Sequence, residues 1–223
     1  MKERLDEQTV AMRAAKEFQE GMVVNLGMGT PMLCCNFLPE EREILLHSEN
    51  GLLGFGAIID QPGEANIDLL NAQGQPVRAR PGMCFVDQAE SFVMIRGGHV
   101  DITVLGALQV SEKGDLANWH MPAKEIGSLG GGMDLAFRAK RVIVCMTHSA
   151  KDGKPKIVKE CSLPITAPKA VALIVTDLAV IKVTSEGLVL KEVAPGWTAE
   201  EVQGLTETNL TIDSSLKEID LVS

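Results

Sequence analysis

The spacing of apolar positions changes several times along the chain, and these changes predict strands alternating with helices. Apolar residues recur at helical spacing from 3 to 20, which predicts an amphipathic helix that ends at Gly21. Continuous runs of Val, Ile and Leu are typical of strands buried on both faces of a sheet. Such runs predict strands at 22–26, 43–47, 101–110, 141–147, 171–176, 180–183 and 188–193. The last three runs lie close together, so part of the sheet should be antiparallel.

Helix signals complete the outline of the fold. Asp87 and Glu90 fit a capping box for a helix from 87 to 96, and Thr198 and Glu201 fit a second one for the last helix. A short helix is expected near 133–139, and no repeat or Pro/Gly/Ser-rich linker divides the chain. We therefore predict one α/β domain over residues 1–223, a three-layer sandwich around a mixed, largely parallel sheet.

Composition narrows the class of protein. The 223 residues are 45% apolar, and no apolar run reaches 18, so no transmembrane helix is expected. A net charge of −9 disfavours nucleic acid as a partner. The five cysteines are odd in number and form no CxxC pair, which favours a reducing, cytoplasmic location. We expect no metal site and interpret the four histidines, which lack ligand spacing, as structural: His47, His99, His120 and His148.

A glycine turn follows the first predicted strand. Gly27 and Gly29 lead into Thr30 and Pro31, which suit the start of a helix. The dinucleotide fingerprint needs a third glycine where Met32 stands, and no Walker A sequence is present. Such a turn leaves backbone N–H groups free for an anion or oxyanion. The alternative is that it only turns the chain.

Glu49 lies two residues beyond the second predicted strand, at its carboxyl end. In open α/β sheets, ligands bind beyond the carboxyl ends of the strands. One interpretation of Glu49 is a solvated loop carboxylate. The other is a nucleophile, since a carboxylate that is held and desolvated can attack an activated acyl group. Gly51 and Gly54 would leave room for a bulky electrophile.

The segment Ser48-Glu49-Asn50-Gly51 resembles the active-site signature of the family I coenzyme A transferases. Six further segments agree with that family in order and spacing: 25–31, 95–101, 105–110, 114–119, 130–135 and 161–166. The chain is similar to the B (β) subunit of 3-oxoacid CoA-transferases from near residue 5 to near residue 210. One departure is Gly132, where relatives usually carry alanine.

The resemblance implies a chemistry and a set of residues. Glu49 would attack the acyl-CoA thioester, pass through an anhydride and carry coenzyme A as a thioester before passing it to a short-chain acid. One acid should be a 3-oxo acid, and no cofactor is needed. Asn25 would lie near the bound coenzyme A, and the backbone N–H groups of Gly131 and Gly132 would face the thioester. The alternatives are that Asn25 satisfies a local turn and that the glycines form a flexible loop.

The resemblance also implies a partner. The family builds its site between an A and a B half, so we expect an A (α) subunit and an α2β2 heterotetramer. A mean hydropathy of +0.11 is consistent with surface buried against another chain. Seven cationic residues between Arg138 and Lys159 could face the phosphates of coenzyme A or form a solvated edge. The competing functions are transfer to another acid, such as 3-oxoadipate or butyrate, and a non-catalytic ligand-binding domain on the same scaffold.

Overall fold

The computed structural model describes residues 2–39, 41–61, 63–120 and 129–221. The helices are α1 (Glu7–Ala15), α2 (Gln88–Arg96), α3 (Gly132–Arg138) and α4 (Ala199–Gly204), with a 3-10 helix at Thr30–Phe37. The first strands are β1 (Val23–Leu26), β2 (Leu45–Ser48), β3 (Leu52–Leu53), β4 (Cys84–Phe85), β5 (Ile102–Leu105), β6 (Gln109–Ser111) and β7 (Leu116–Ala117). The others are β8 (Arg141–Met146), β9 (Ile157–Val158), β10 (Val171–Thr176), β11 (Ala179–Thr184), β12 (Gly187–Val193) and β13 (Leu210–Glu218).

Ten of these strands form one sheet in the order β13-β12-β11-β10-β8-β5-β1-β2-β3-β4. The central strands β10, β8, β5, β1 and β2 are parallel neighbours. Strand β11 is antiparallel to both β10 and β12, as the close spacing of the last runs predicts. Strands β7, β6 and β9 form a separate small sheet. Within the described ranges, no helix is long and apolar enough to cross a lipid bilayer.

Side chains on the central strands alternate between two cores. On β8, Ile143 and Cys145 enter a cluster with Val10 of α1 and Cys34 of the 3-10 helix. Their neighbours on β8 enter a second cluster with residues of α2, α3 and α4, and its members include Val142, Val144, Ile95, Leu135 and Val202. The sheet is therefore covered on both faces, and the predicted three-layer α/β sandwich is confirmed.

Several predicted boundaries were wrong for local reasons. Helix α1 ends at Ala15, because bonds from Glu17 N to Ala14 O and from Phe18 N to Ala15 O tighten the chain and bury Phe18. The predicted strand 101–110 is two strands in different sheets, since the chain leaves the large sheet after β5.

The helix caps show where the sequence signals are reliable. The helix predicted at Thr30 is a 3-10 helix, and its N-cap is Gly29. The φ of Gly29 is 79°, a left-handed value that a glycine adopts without strain. Asp87 accepts from Glu90 N at the start of α2 without a reciprocal bond. The capping box of Thr198 and Glu201 is confirmed in full.

Candidate active site

The carboxyl ends of β1, β2 and β5 meet at one edge of the sheet, and three polar residues lie there side by side. The strand register pairs Asn25 with His47 on one side and with Thr103 on the other. Asn25 and Thr103 are 0% exposed, and His47 is 1% exposed. A row of buried polar groups in strands that are otherwise apolar must find hydrogen-bond partners within the protein.

Glu49 lies one residue beyond β2, half-buried, at the end of this row. Nδ2 of Asn25 donates a hydrogen bond of 3.2 Å to Oε2 of Glu49. The turn after Glu49 is closed by a bond from Gly51 N to Ser48 O and clamped by a bond from Val86 N to Gly51 O. The carboxylate is thus held against a buried amide, and this geometry favours the interpretation of a positioned carboxylate over a freely solvated one.

The predicted glycine loop contacts the same carboxylate. Gly131 is buried, and a Cβ added there would lie 3.6 Å from both Cγ and Oε1 of Glu49 and 3.3 Å from Cζ of Phe92. A Cβ on Gly132 would meet only Nδ2 of Asn118, at 3.9 Å. The structure therefore brings Asn25, Glu49 and Gly131 together. One oxygen of the carboxylate is bonded to an amide, and the other faces a backbone without side chains.

His47, which the sequence analysis interprets as structural, also lies at this site. Its Nδ1 lies 3.1 Å from Nδ2 of Asn25, and its Nε2 lies 3.0 Å from Oγ of Ser91 in α2. Burial lowers the pKa of His47, and the charge of Glu49 partly opposes that shift. The overlooked signal is positional, because Asn25, His47 and Thr103 are buried polar residues in strands with apolar neighbours, at paired register positions.

The glycine turn before the 3-10 helix differs from the prediction. The N–H of Gly29, expected to be free for an anion, donates to Oε1 of Gln73 at 3.1 Å. The turn that carries Gln73 is itself joined to the signature segment, since Ala72 N donates to Oγ of Ser48 and Nδ2 of Asn50 donates to Leu70 O. The signature residues on either side of Glu49 therefore anchor a neighbouring loop.

One of the histidines interpreted as structural lies outside this site and has hydrogen-bond partners on both sides. His148 is buried between the hydroxyls of Thr176 and Thr206, and its burial lowers its pKa to about 4. In the cationic stretch 138–159, Lys140 and Arg141 pair with acidic side chains, which favours the alternative of an ordinary charged surface for those two residues. Among the described residues, no group of three His, Cys, Asp or Glu could hold a metal ion.

A cavity of about 840 Å³ lies away from this site. Its walls come from the amino ends of β12 and β13 and from neighbouring loops, and include Lys113, Lys159 and Lys169. None of the predicted site residues lines it. The candidate active site is therefore the opposite edge, where the parallel strands end.

The chain is similar to known proteins of one family along most of its length. The family model for coenzyme A transferase matches residues 7–204. The chain belongs to the coenzyme A transferase family. The beta subunit of a probable coenzyme A transferase of Bacillus subtilis (strain 168) is 47% identical over 208 residues, which cover 93% of this chain and 95% of that protein. The B chain of the 3-oxoadipate CoA-transferase of Pseudomonas putida is 49% identical over 204 residues, 91% of this chain and 95% of its own length.

Among solved structures, an acyl-CoA transferase apoenzyme from Escherichia coli O157:H7 superposes with a TM-score of 0.76 at 23% identity. The match covers 98% of this chain but only 45% of the longer one, so this chain spans about half of that protein. At such low identity the likeness supports the fold alone. The family assignment itself confirms the resemblance of the sequence to the coenzyme A transferases, and it makes the chain part of an enzyme of that class.

Proposed function

We propose that this chain supplies the nucleophile of a CoA-transferase that moves coenzyme A from an acyl-CoA donor to a short-chain carboxylic acid. One observation carries the proposal. The Glu49 carboxylate is bonded through Oε2 to buried Asn25, while Oε1 faces the backbone of Gly131. That arrangement holds one oxygen still and leaves the other accessible to a planar electrophile.

The proposed reaction is a ping-pong sequence of acyl substitutions. Oε1 of Glu49 attacks the thioester carbonyl of the donor, the C–S bond breaks, and coenzyme A leaves as a thiolate. The thiolate then attacks Cδ of Glu49 in the anhydride, which releases the donor acid as a carboxylate and leaves coenzyme A on Glu49 as a thioester. The acceptor carboxylate attacks that thioester, and the same steps run in reverse. Every step moves an electron pair between carbon, oxygen and sulfur, so we propose no metal, nucleotide or redox cofactor.

Asn25 has a role in both half-reactions. When the thiolate attacks Cδ of Glu49, negative charge develops on the glutamyl oxygen that Asn25 already faces at 3.2 Å. A preorganised N–H donor at such an oxygen is worth about 10²–10³ in kcat. Asn25 would thus orient the carboxylate first and stabilise the oxyanion afterwards, and the glycines would leave the approach to Glu49 open.

The proposal includes a partner A (α) subunit in an α2β2 heterotetramer. The relatives are named as the beta or B chains of their enzymes. Apolar side chains are exposed on the two helices next to the glycine loop: Val93 (68%), Met133 (41%) and Phe137 (55%). Exposed apolar surface of this kind supports burial against another chain. We further propose that one substrate is a 3-oxo acid, since one relative is named for 3-oxoadipate.

The test is to trap the intermediate. The chain is combined with its A subunit and incubated with acetoacetyl-CoA alone, and mass spectrometry should locate coenzyme A on Glu49. Borohydride should reduce the adduct and hydroxylamine should cleave it. Glu49→Gln, which keeps the size but is not nucleophilic, should give neither adduct nor turnover. An adduct on another residue, or full turnover of Glu49→Gln, would overturn the proposal.

Two further measurements separate the parts of the proposal. The purified chain without its A subunit should not transfer coenzyme A between acetoacetate and a donor, because a single chain supplies only one wall of the site. Full turnover by the isolated chain would reject the two-chain site. A panel of acids, including acetoacetate, 3-oxoadipate and butyrate, then decides specificity. Preference for an acid without the 3-oxo group would reject that part only.

A further inference from the structure

A chain of hydrogen bonds runs behind Glu49 into the interior. Nδ2 of Asn25 lies 3.2 Å from Oε2 of Glu49, 3.2 Å from the carbonyl oxygen of His47 and 3.1 Å from Nδ1 of His47. On the far side of the imidazole, Nε2 lies 3.0 Å from Oγ of Ser91, which in turn reaches Ser48 O at 3.5 Å. His47 therefore bridges the amide that faces Glu49 and helix α2.

The neighbours fix the direction of every bond in this chain. Two of the three groups around the Asn25 amide nitrogen are pure acceptors, a carboxylate and a carbonyl, so that atom is the donating nitrogen. Thr103 Oγ1 on the other side of the amide lies 3.5 Å from its oxygen, to which it donates. The two N–H bonds of the amide are shared among three acceptors, and a proton on Nδ1 of His47 would face this donor-only nitrogen at 3.1 Å. The ring proton is therefore assigned to Nε2, which donates it to Oγ of Ser91.

The surroundings of His47 favour the neutral ring. Strand β1 contributes Asn25, β3 contributes Leu53 as its register partner, and α2 contributes Ser91, none of which carries a charge. Within the described part of the chain, Glu49 is the charge that acts on His47. The ring is 1% exposed, and its burial, which lowers its pKa, outweighs the opposing effect of that carboxylate.

We propose that His47 is a positioning residue, a buried neutral acceptor that keeps the amide N–H of Asn25 directed at Glu49. This inference rests on the proposed role of Glu49. A proton on Nδ1 would set N–H against N–H, so the Asn25 amide would have to turn and would withdraw its donor from Oε2. Transfer should therefore fall on the acid side, as His47 takes up a proton.

The charge of Glu49 links the pKa of His47 to the covalent cycle. In the free enzyme the Glu49 carboxylate is negative and favours the protonated ring. In the glutamyl-CoA form that charge is gone, because Glu49 is then a thioester. The pKa of His47 should therefore be lower in the adduct than in the free enzyme, and Asn25 stays aligned while the thioester awaits the acceptor acid.

Kinetics with matched variants test the positioning role in the complete complex with the A subunit. His47→Leu removes the acceptor, and kcat should fall by about 10-fold to about 100-fold while KM changes less. His47→Gln keeps one acceptor and one donor but cannot take up a proton. It should retain most of kcat, and its kcat should no longer fall at acid pH as the wild-type kcat does. His148→Gln, at a buried histidine outside the site, controls for general effects and should keep the wild-type acid limb.

Nitrogen NMR of histidine-labelled complex supplies a readout that a structural role would not move. The His47 signals, assigned by their loss in His47→Gln, should show a proton on Nε2 and a lower pKa after coenzyme A is loaded on Glu49. An Nδ1–H ring, equal titration in both forms, or a His47→Leu enzyme with unchanged kcat and pH profile would overturn the inference. If no adduct forms on Glu49, the proposed function fails, whereas the tautomer in the free enzyme still tests the arrangement of His47.

Discussion

The amide nitrogen of Asn25 lies 3.2 Å from Oε2 of Glu49, although 24 positions separate the two residues in the chain. The contact exists because β1 and β2 are parallel neighbours whose carboxyl ends reach the same edge. Glu49 is thus oriented by a neighbouring strand as well as by its own turn. The geometry around this pair makes the site sensitive to small changes in the residues that surround it.

Removing the Asn25 donor should lower turnover far more than it lowers stability. Asn25→Ala deletes the hydrogen bond to Oε2, and kcat should fall by about 10²–10³ if that bond stabilises the oxyanion. Asn25→Asp keeps the shape but sets a second acceptor against the carboxylate, and it should be at least as damaging. Steady-state kinetics with the A subunit measures both. Asn66→Ala, at an exposed turn, is the control. An Asn25→Ala enzyme with wild-type kcat would contradict this role.

The two neighbouring glycines should respond differently to alanine. Gly131 has helical backbone angles, φ −79° and ψ −3°, so Gly131→Ala imposes no backbone strain. Its methyl group would nevertheless lie 3.6 Å from Oε1 of Glu49, where the electrophile must approach. We expect kcat to fall by more than about tenfold with the Tm shifted by only about 2–4 °C, the equivalent of about 1 kcal/mol.

Gly132→Ala is the matched control, because the added methyl group meets only Nδ2 of Asn118 at 3.9 Å. It should leave both kcat and Tm close to those of the wild type. Equal losses of activity in the two variants, or a Gly131→Ala protein that does not fold, would show that the loop is needed for structure and not for access to Glu49.

Gly51 should be the glycine at this site that the fold itself requires. Its φ is +113°, and an added Cβ would lie 2.1 Å from the carbonyl oxygen of Val86. Gly51→Ala should destabilise the chain by about 3 kcal/mol or more, because backbone strain and a steric clash add. Thermal unfolding should show a Tm lower by about 6–12 °C. Gly204→Ala, which meets nothing within 4 Å, is the control. A Gly51→Ala protein as stable as that control would contradict a structural role for the turn.

His148 should make the chain less stable in mild acid. Its burial lowers its pKa from 6.5 to about 4 in the folded state, whereas the unfolded chain has the ordinary value. Between these values only the unfolded chain takes up the proton, so stability falls as pH decreases. The slope is about 1.4 kcal/mol per pH unit for this one group.

His148→Gln tests that slope. A glutamine side chain can satisfy the hydroxyls of Thr176 and Thr206 but does not titrate. Urea unfolding at several pH values between 6.5 and 4 should therefore show a shallower loss of stability in the variant. Asn66→Ala, which changes a non-titrating side chain at an exposed turn, should leave the slope unchanged. Parallel curves for wild type and His148→Gln would show that another group is responsible.

The sequence was most informative where a single strand or turn determines the structure. The buried runs predict the sheet because both faces of β8 must meet apolar partners, and Glu49 could be singled out because it ends such a run. Capping residues Thr198 and Glu201 were reliable for the same reason, since their bonds are local. The predicted end of the first helix near Gly21 was wrong. The helix ends at Ala15, because the chain turns there and buries Phe18 before it reaches the glycine.

The sequence could not show which residues of neighbouring strands and loops contact each other. His47 was interpreted as an isolated structural histidine, because its bond to Asn25 joins residues 22 positions apart in the chain. The register of β1 against β2 creates that contact, and the register depends on packing throughout the sheet. Gln73 was missed for a related reason, because its bond to Gly29 spans 44 positions between two loops.

The buried row of Thr103, Asn25 and His47 also sets a limit on how this sheet could be improved. Three adjacent polar residues in a parallel sheet are sites where well-packed Val, Ile or Leu would ordinarily make a more stable protein. A laboratory selection for heat resistance alone would thus favour substitutions at these positions. Each one would remove either Asn25, which bonds to Glu49, or a hydrogen bond to the Asn25 side chain. Screens for variants of higher thermal stability should keep these three residues constant. They should instead vary the second hydrophobic cluster, around α3 and α4.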